Sequence, residues 1–128
     1  HKDRMSLFNH DAIDFLKLEE VRSLRRALIN FDPPYVQKGA ALYKNSFTET
    51  DHRRLAKAIL ACRKKWMVTY DVCPLVTELF KAKRMGHISV YYSARNPRLA
   101  NECIILNDNV RLPDGSTILA PIMQEEIR

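Results

Sequence analysis

The sequence predicts an α/β fold: a mainly parallel sheet with helices on both faces and an antiparallel strand pair at its carboxyl end. Three observations carry this. Short apolar runs of strand length, at residues 27–31 and 66–70, alternate with stretches of helical periodicity. The clearest helix signals lie between and after those runs, which is the spacing of β–α–β units. Residues 87–93 and 102–106 alternate polar with apolar across a short connection at 94–100, the pattern of an antiparallel pair. With 128 residues and 46% hydrophobic content, the chain suits a single domain, 1–128, with flexible ends at 1–4 and 123–128.

Each element has a local reason. Ser6-Leu7-Phe8-Asn9 reads as a short strand ending at His10-Asp11. A helix follows over 12–26, with Ile13, Leu16, Val21 and Leu24 on its buried side. Its basic end, Arg22, Arg25 and Arg26, reads as solvated helix charge. The run 27–31 is a buried strand that delivers Asp32-Pro33-Pro34-Tyr35. Prolines stop ladder pairing and helix continuation, so the chain leaves the sheet there. Residues 36–47 read as a long loop, a length that in compact domains is usually functional or disordered.

Thr48 opens the next helix, and Asp51 three residues on completes a capping box with the shorter acid. Leu55, Ile59 and Cys62 share one face of it. Arg63, Lys64 and Lys65 stand where cations suit a helix carboxyl end. After the strand at 66–70 comes Asp71, and Pro74 fits the first turn of a further helix with Val76, Leu79 and Phe80 facing the core. Pro113-Asp114-Gly115 is a turn signal between strand-like residues 110–112 and 116–119.

The net charge of +6 and an isoelectric point near 9.4 point to a polyanionic partner such as nucleic acid. Three cysteines, Cys62, Cys73 and Cys103, lack zinc-site spacing and read as reduced thiols of a cytoplasmic protein. No apolar run reaches the length of a membrane span, and no signal peptide is visible. The chain starts at His1 rather than methionine, which predicts a piece of something longer.

Sites in parallel sheets lie beyond the carboxyl ends of the strands. Asp11, Asp32 and Asp71 each follow a predicted strand. At residues 32–35 an acceptor carboxylate, two carbonyls directed by proline and an aromatic face meet. That set suits a flat, amine-bearing ring. Asp11 and Asp71 read equally well as helix caps, and Tyr43 as a packing residue. Lys38 reads either as a phosphate contact or as a solvated loop cation.

These residues, in this order, resemble the carboxyl-terminal part of Dam-type DNA adenine N6-methyltransferases. Asp32-Pro33-Pro34-Tyr35 resembles the family's catalytic motif, and Asn9-His10-Asp11-Ala12 its preceding acidic segment. Lys38-Gly39, Leu42-Tyr43, Phe47 and Asp51-His52 resemble the loop and helix that follow the motif. Thr69-Tyr70-Asp71 with Pro74 resembles the next strand end, and residues 89–94 and 102–107 the final strand pair. The likeness runs from about residue 5 to residue 107.

The resemblance implies a partial Rossmann-like methyltransferase fold that lacks the first strands. It implies transfer of a methyl group from S-adenosylmethionine to the exocyclic amino group of a flipped adenine in double-stranded DNA, in the setting of DNA methylation or restriction-modification. Asp32, Pro33 and Tyr35 would be catalytic, Asp11 and Asp32 would meet the cofactor, and Pro34, Lys38, Tyr43 and Asp71 would bind the DNA substrate, Tyr43 and Asp71 at the wall of the base pocket. The family's glycine-containing cofactor motif and its target-recognition region have no counterpart: Gly39, Gly86 and Gly115 are not clustered. Without those strands the one before Asp32 has an open apolar edge, which predicts a homodimer or a second chain completing the sheet. The alternative is a remnant without catalysis that binds DNA or protein.

Overall fold

The structure is a computed structural model that describes residues 4–39, 47–92, 98–112 and 120–121. The expectations for Tyr43, for a strand at 116–119 and for flexible ends (residue 4 apart) fall outside those residues.

Two four-residue helices come first, α1 (Ala12–Phe15) and α2 (Glu19–Arg22). Strand β1 (Leu28–Phe31) leads to a short helix α3 (Val36–Gly39) and then to the long helix α4 (Glu49–Ala61). Strand β2 (Lys65–Tyr70), helix α5 (Pro74–Leu79) and strands β3 (Arg84–Tyr92), β4 (Arg98–Leu106) and β5 (Ala120–Pro121) complete the order. The five-stranded sheet runs β1-β2-β4-β3-β5.

The α/β character is as expected, but the sheet is not mainly parallel. Among the described residues β1 and β2 form its one parallel pair, and β2–β4, β3–β4 and β3–β5 are antiparallel. The reason is the hairpin-like pair β3–β4, whose second strand returns to lie directly against β2. The expected antiparallel pair is there, and it is longer than residues 87–93 and 102–106. Nor, among the described residues, do helices cover both faces. α4 packs Leu55, Ala56 and Ile59, and α5 packs Val76, with Phe80 just after it, against Trp66, Val68 and Tyr70, which alternate along β2 and so share one face. Cover on two faces needs a strand order that reverses. Here the two helix-bearing connections, β1–α4–β2 and β2–α5–β3, advance in one direction across the sheet.

Ser6-Leu7-Phe8-Asn9 forms no strand, and Leu7 is 99% exposed. A strand needs a neighbour for its backbone groups, and β1 pairs only with β2 among the described residues. The predicted helix over 12–26 breaks at Lys17-Leu18; Ile13 and Leu16 lie half-buried against the core and Val21 is buried, but Leu24 stays exposed, so the second half has little to pack against. Residues 110–112 are likewise not a strand; the Arg84 guanidinium donates to the carbonyls of Asn107 and Val110 there. The loop predicted from 36 begins instead with α3.

The core centres on β2. Trp66, Val68, Ile59 and Ile105 are fully buried, and Phe80 sets its ring edge-on to Trp66. The capping box of α4 forms as predicted. Thr48 N–H donates to Asp51 Oδ2 at 2.9 Å, and Asp51 N–H donates to Thr48 Oγ1 at 3.3 Å. Pro74 opens α5 as expected.

Candidate functional site

Because β1 and β2 are parallel neighbours, both deliver their following residues to the same rim of the sheet. Phe31 sits opposite Val68 in the register. One residue further along each strand, the Thr69 hydroxyl donates to Asp32 Oδ1 at 2.9 Å. Asp32 remains solvent-exposed, while Pro33 is buried and Pro34 and Tyr35 are half-buried. Tyr35 packs against the edge of the core. The ring of each proline fixes its φ near −65°, and burial of Pro33 sets the direction in which the turn departs.

Asp71 is buried and holds the other end of the turn. Its Oδ1 accepts from Val36 N–H at 2.8 Å and its Oδ2 from Gln37 N–H at 2.7 Å. These are donors of the first turn of α3, which have no partner within the helix. Charge-assisted bonds of this length are about twice as strong as neutral ones. Residues 32–35 are thus clamped at entry by Thr69 and at exit by Asp71, both from the end of β2.

Between the two clamps, Tyr70 turns inward. Its hydroxyl lies 3.0 Å from His52 Nδ1, and both side chains are buried. Phe47 meets the His52 ring edge-on at 5.1 Å. Burial holds the His52 imidazole below its ordinary value of 6.5, with the charges of Asp71 and Asp51 only partly opposing it. Burial also pushes the Tyr70 phenol up. The pair is therefore neutral. The unfolded chain takes up its proton first as pH falls, so stability that is present above about 6.5 is lost as pH drops towards the lower folded value. Thermal midpoints measured between pH 7.5 and 5 should fall in the wild type and flatten in His52→Gln. An unchanged slope in the variant would exclude His52 as the titrating group. The carboxylates with lowered values, Asp14, Asp51 and Glu78, start from 3.8 or 4.5 and act below this window.

Asp11 does not share these partners. Its Oδ1 accepts from Ile13 N–H at 2.9 Å as the cap of α1, and its Oδ2 lies 3.5 Å from Arg54 Nη2 on α4. Capping, one of its two sequence readings, is what the geometry shows. Asp71 also caps, but it caps α3 in place of the helix that follows it; α5 has Cys73 at its cap position with no side-chain bond. Lys38 lies in α3. Sequence reasoning did not single out Thr69, Tyr70 and His52 as a set. The signal for Thr69 was available, since a polar residue one step before a strand-end acid on a neighbouring parallel strand falls beside the first strand's own end.

The described cysteines are free thiols, and burial raises Cys73, and Cys103 to about 12. Among the described residues no group of His, Cys, Asp and Glu could hold a metal ion, and no helix is long and apolar enough to cross a membrane. Fold and rim together define an α/β domain with a proline-stiffened acidic turn at the end of a parallel strand pair. No family model and no curated protein matches the chain.

Proposed function

We propose that this chain is the catalytic part of a DNA adenine N6-methyltransferase. The observation that carries the reading is the double clamp on Asp32-Pro33-Pro34-Tyr35, with the acid left exposed to meet a ligand. Duplex DNA hides the adenine amino group, so the base must be flipped out to reach the rim. The Asp32 carboxylate and the Pro33 carbonyl accept the two amino hydrogens. That orients the nitrogen lone pair out of conjugation with the ring. Tyr35 offers a face for stacking, a contact worth about 1–3 kcal/mol in such sites. The gain in rate is orientation and fixed electrostatics. S-adenosylmethionine supplies the electrophilic methyl group when bound.

The residues present fit the adenine side better than the donor side. Asp11, the candidate for the adenosine of the donor, is engaged by Ile13 and Arg54. Among the described residues β1 is an edge strand, ending beside Asp32, and Leu28 on it is 55% exposed. A second chain or a second copy pairing there would complete both sheet and site. Light scattering after size exclusion should therefore give a mass above the 14.9 kDa of one chain. A stable monomer at tens of micromolar, on the scale of weak association, would remove the second copy and leave a different chain as the partner.

The engagement of Asp11 also favours a second reading, a remnant that binds DNA or protein without catalysis. Calorimetric titration with S-adenosylmethionine separates the two, run on this chain and on a longer protein that contains it. Binding by either supports the enzyme. Binding by neither leaves the remnant.

A further inference from the structure

The two basic runs of the sequence, 22–26 and 63–65, meet in space. They line one cleft of about 1000 Å³ at the amino-terminal ends of β1 and β2, opposite the Asp32 rim. Leu28 pairs with Lys65 in the parallel register, so the residues preceding each strand are brought side by side. Arg22, Arg25, Arg26, Arg63, Lys64 and Lys65 contribute six cations, and no acidic residue lines the cleft.

The cleft is built rather than incidental. Lys64 Nζ donates to the carbonyls of Arg22, at 3.0 Å, and of Leu24, so this lysine ties one run to the other. The carbonyls of Lys64 and Arg63 accept from the side chains of Asn107 and Asn109 at 3.0 and 3.2 Å. The backbone carrying the charges is thereby fixed. Arg25, Arg26, Arg63 and Lys65 are exposed, and among the described residues none has a carboxylate at ion-pair distance. Capping of α4 does not account for them either. The last turn of that helix holds no basic residue, and the carbonyl of Cys62 accepts from Trp66 Nε1.

We propose that this cleft binds the phosphate backbone of a nucleic acid, without reading its sequence. Like charges held together and unpaired repel one another, and closely spaced phosphates relieve that repulsion while releasing their own counterions. The concave shape suits a backbone ridge better than a flat bilayer. The site lies on the order of 15–20 Å from the rim, since β2 rises about 3.3 Å per residue. It stands apart from the methyltransferase reading and holds if that reading fails.

The test is fluorescence anisotropy of a labelled DNA duplex with the whole chain, over a range of salt concentrations. The wild type is compared with the quadruple variant Arg25→Gln, Arg26→Gln, Arg63→Gln, Lys65→Gln. Affinity at low salt should fall at least about tenfold, and the log–log salt slope should shrink by about 0.9 for each phosphate that is no longer neutralised. In the wild type, bound duplex should also shield Lys65 from acetylation, a readout that does not depend on the variant folding. Unchanged affinity and slope in a folded variant would overturn the proposal, as would an unshielded Lys65. It would equally be overturned if phosphatidylserine vesicles bound through these residues and duplex did not.

Discussion

Replacing Asp71 with alanine should lower the thermal midpoint by on the order of 10 °C, because it releases the turn on which the candidate site is built. Asp71 is 3% exposed and satisfies two N–H groups from a segment more than thirty residues upstream. Hydrogen bonds to a charged group contribute roughly 1.5–3 kcal/mol each, and the stranded donors add a desolvation cost. Removing a buried carboxylate recovers part of this, since its own burial is unfavourable. A net loss of about 2–4 kcal/mol is large for a domain whose whole stability is about 5–15 kcal/mol. Asp71→Asn should cost nearly as much. Its amide keeps one acceptor but turns an NH2 group towards the second N–H. The Asn variant also has a distinct signature. The Asp71 charge raises the His52 value, so its removal should move the His52 titration lower still in proton NMR. A midpoint within about 2 °C of wild type for both variants, the change expected of an ordinary surface substitution, would show that the clamp does not hold the turn.

How much of this was legible in the sequence depends on the range of the interaction. Local chemistry read correctly. Thr48 with Asp51, Pro74 at a helix start and Asp11 as a cap all concern residues within three positions of one another. The run at 66–70 was readable as a strand, and the structure adds that Trp66, Val68 and Tyr70 share its buried face. The failures came where a neighbour was needed. Leu7 and Phe8 have strand-like character but no strand beside them, so they stay exposed. The helix over 12–26 carried apolar residues at helical spacing, but only Val21 is buried, with Ile13 and Leu16 half-buried against the core and Leu24 exposed.

The site shows the same division. Asp32-Pro33-Pro34-Tyr35 announced itself, but what holds it did not. Asp71 was readable as a cap, and only the parallel pairing of β1 with β2 shows that the capped helix is the one after Tyr35. The basic runs at 22–26 and 63–65 each have a plain local reading as helix-end charge. They become one surface only because Leu28 and Lys65 are register partners. His52 stood in the sequence only beside the cap acid Asp51, and its burial against Tyr70 follows from α4 lying over β2.

On the proposed methyltransferase reading, Asp32→Ala should reduce methyl transfer to DNA by at least about 10³-fold while leaving folding and duplex affinity nearly unchanged. Asp32 is exposed and makes one described hydrogen bond, to Thr69, so its loss should change stability by no more than about 1.5 kcal/mol. That separation from Asp71 is the useful contrast: Asp71 holds the turn, and Asp32 is the acid proposed to act from it. Asp32→Asn keeps the shape and one acceptor but loses the charge that opposes delocalisation of the amine lone pair, and about 10²–10³-fold in rate should go with it. Thr69→Val leaves the carboxylate in place but frees its rotamer. A loss of about tenfold, near one hydrogen bond's worth, is expected in the rate at saturating DNA, with little change in KM. Single-turnover methylation of a labelled duplex reads all three, with anisotropy reporting duplex binding in parallel. Retained turnover in Asp32→Ala would falsify the assigned role. A collapse of duplex affinity in step with the rate would instead move Asp32 from acting on the bound adenine to binding DNA.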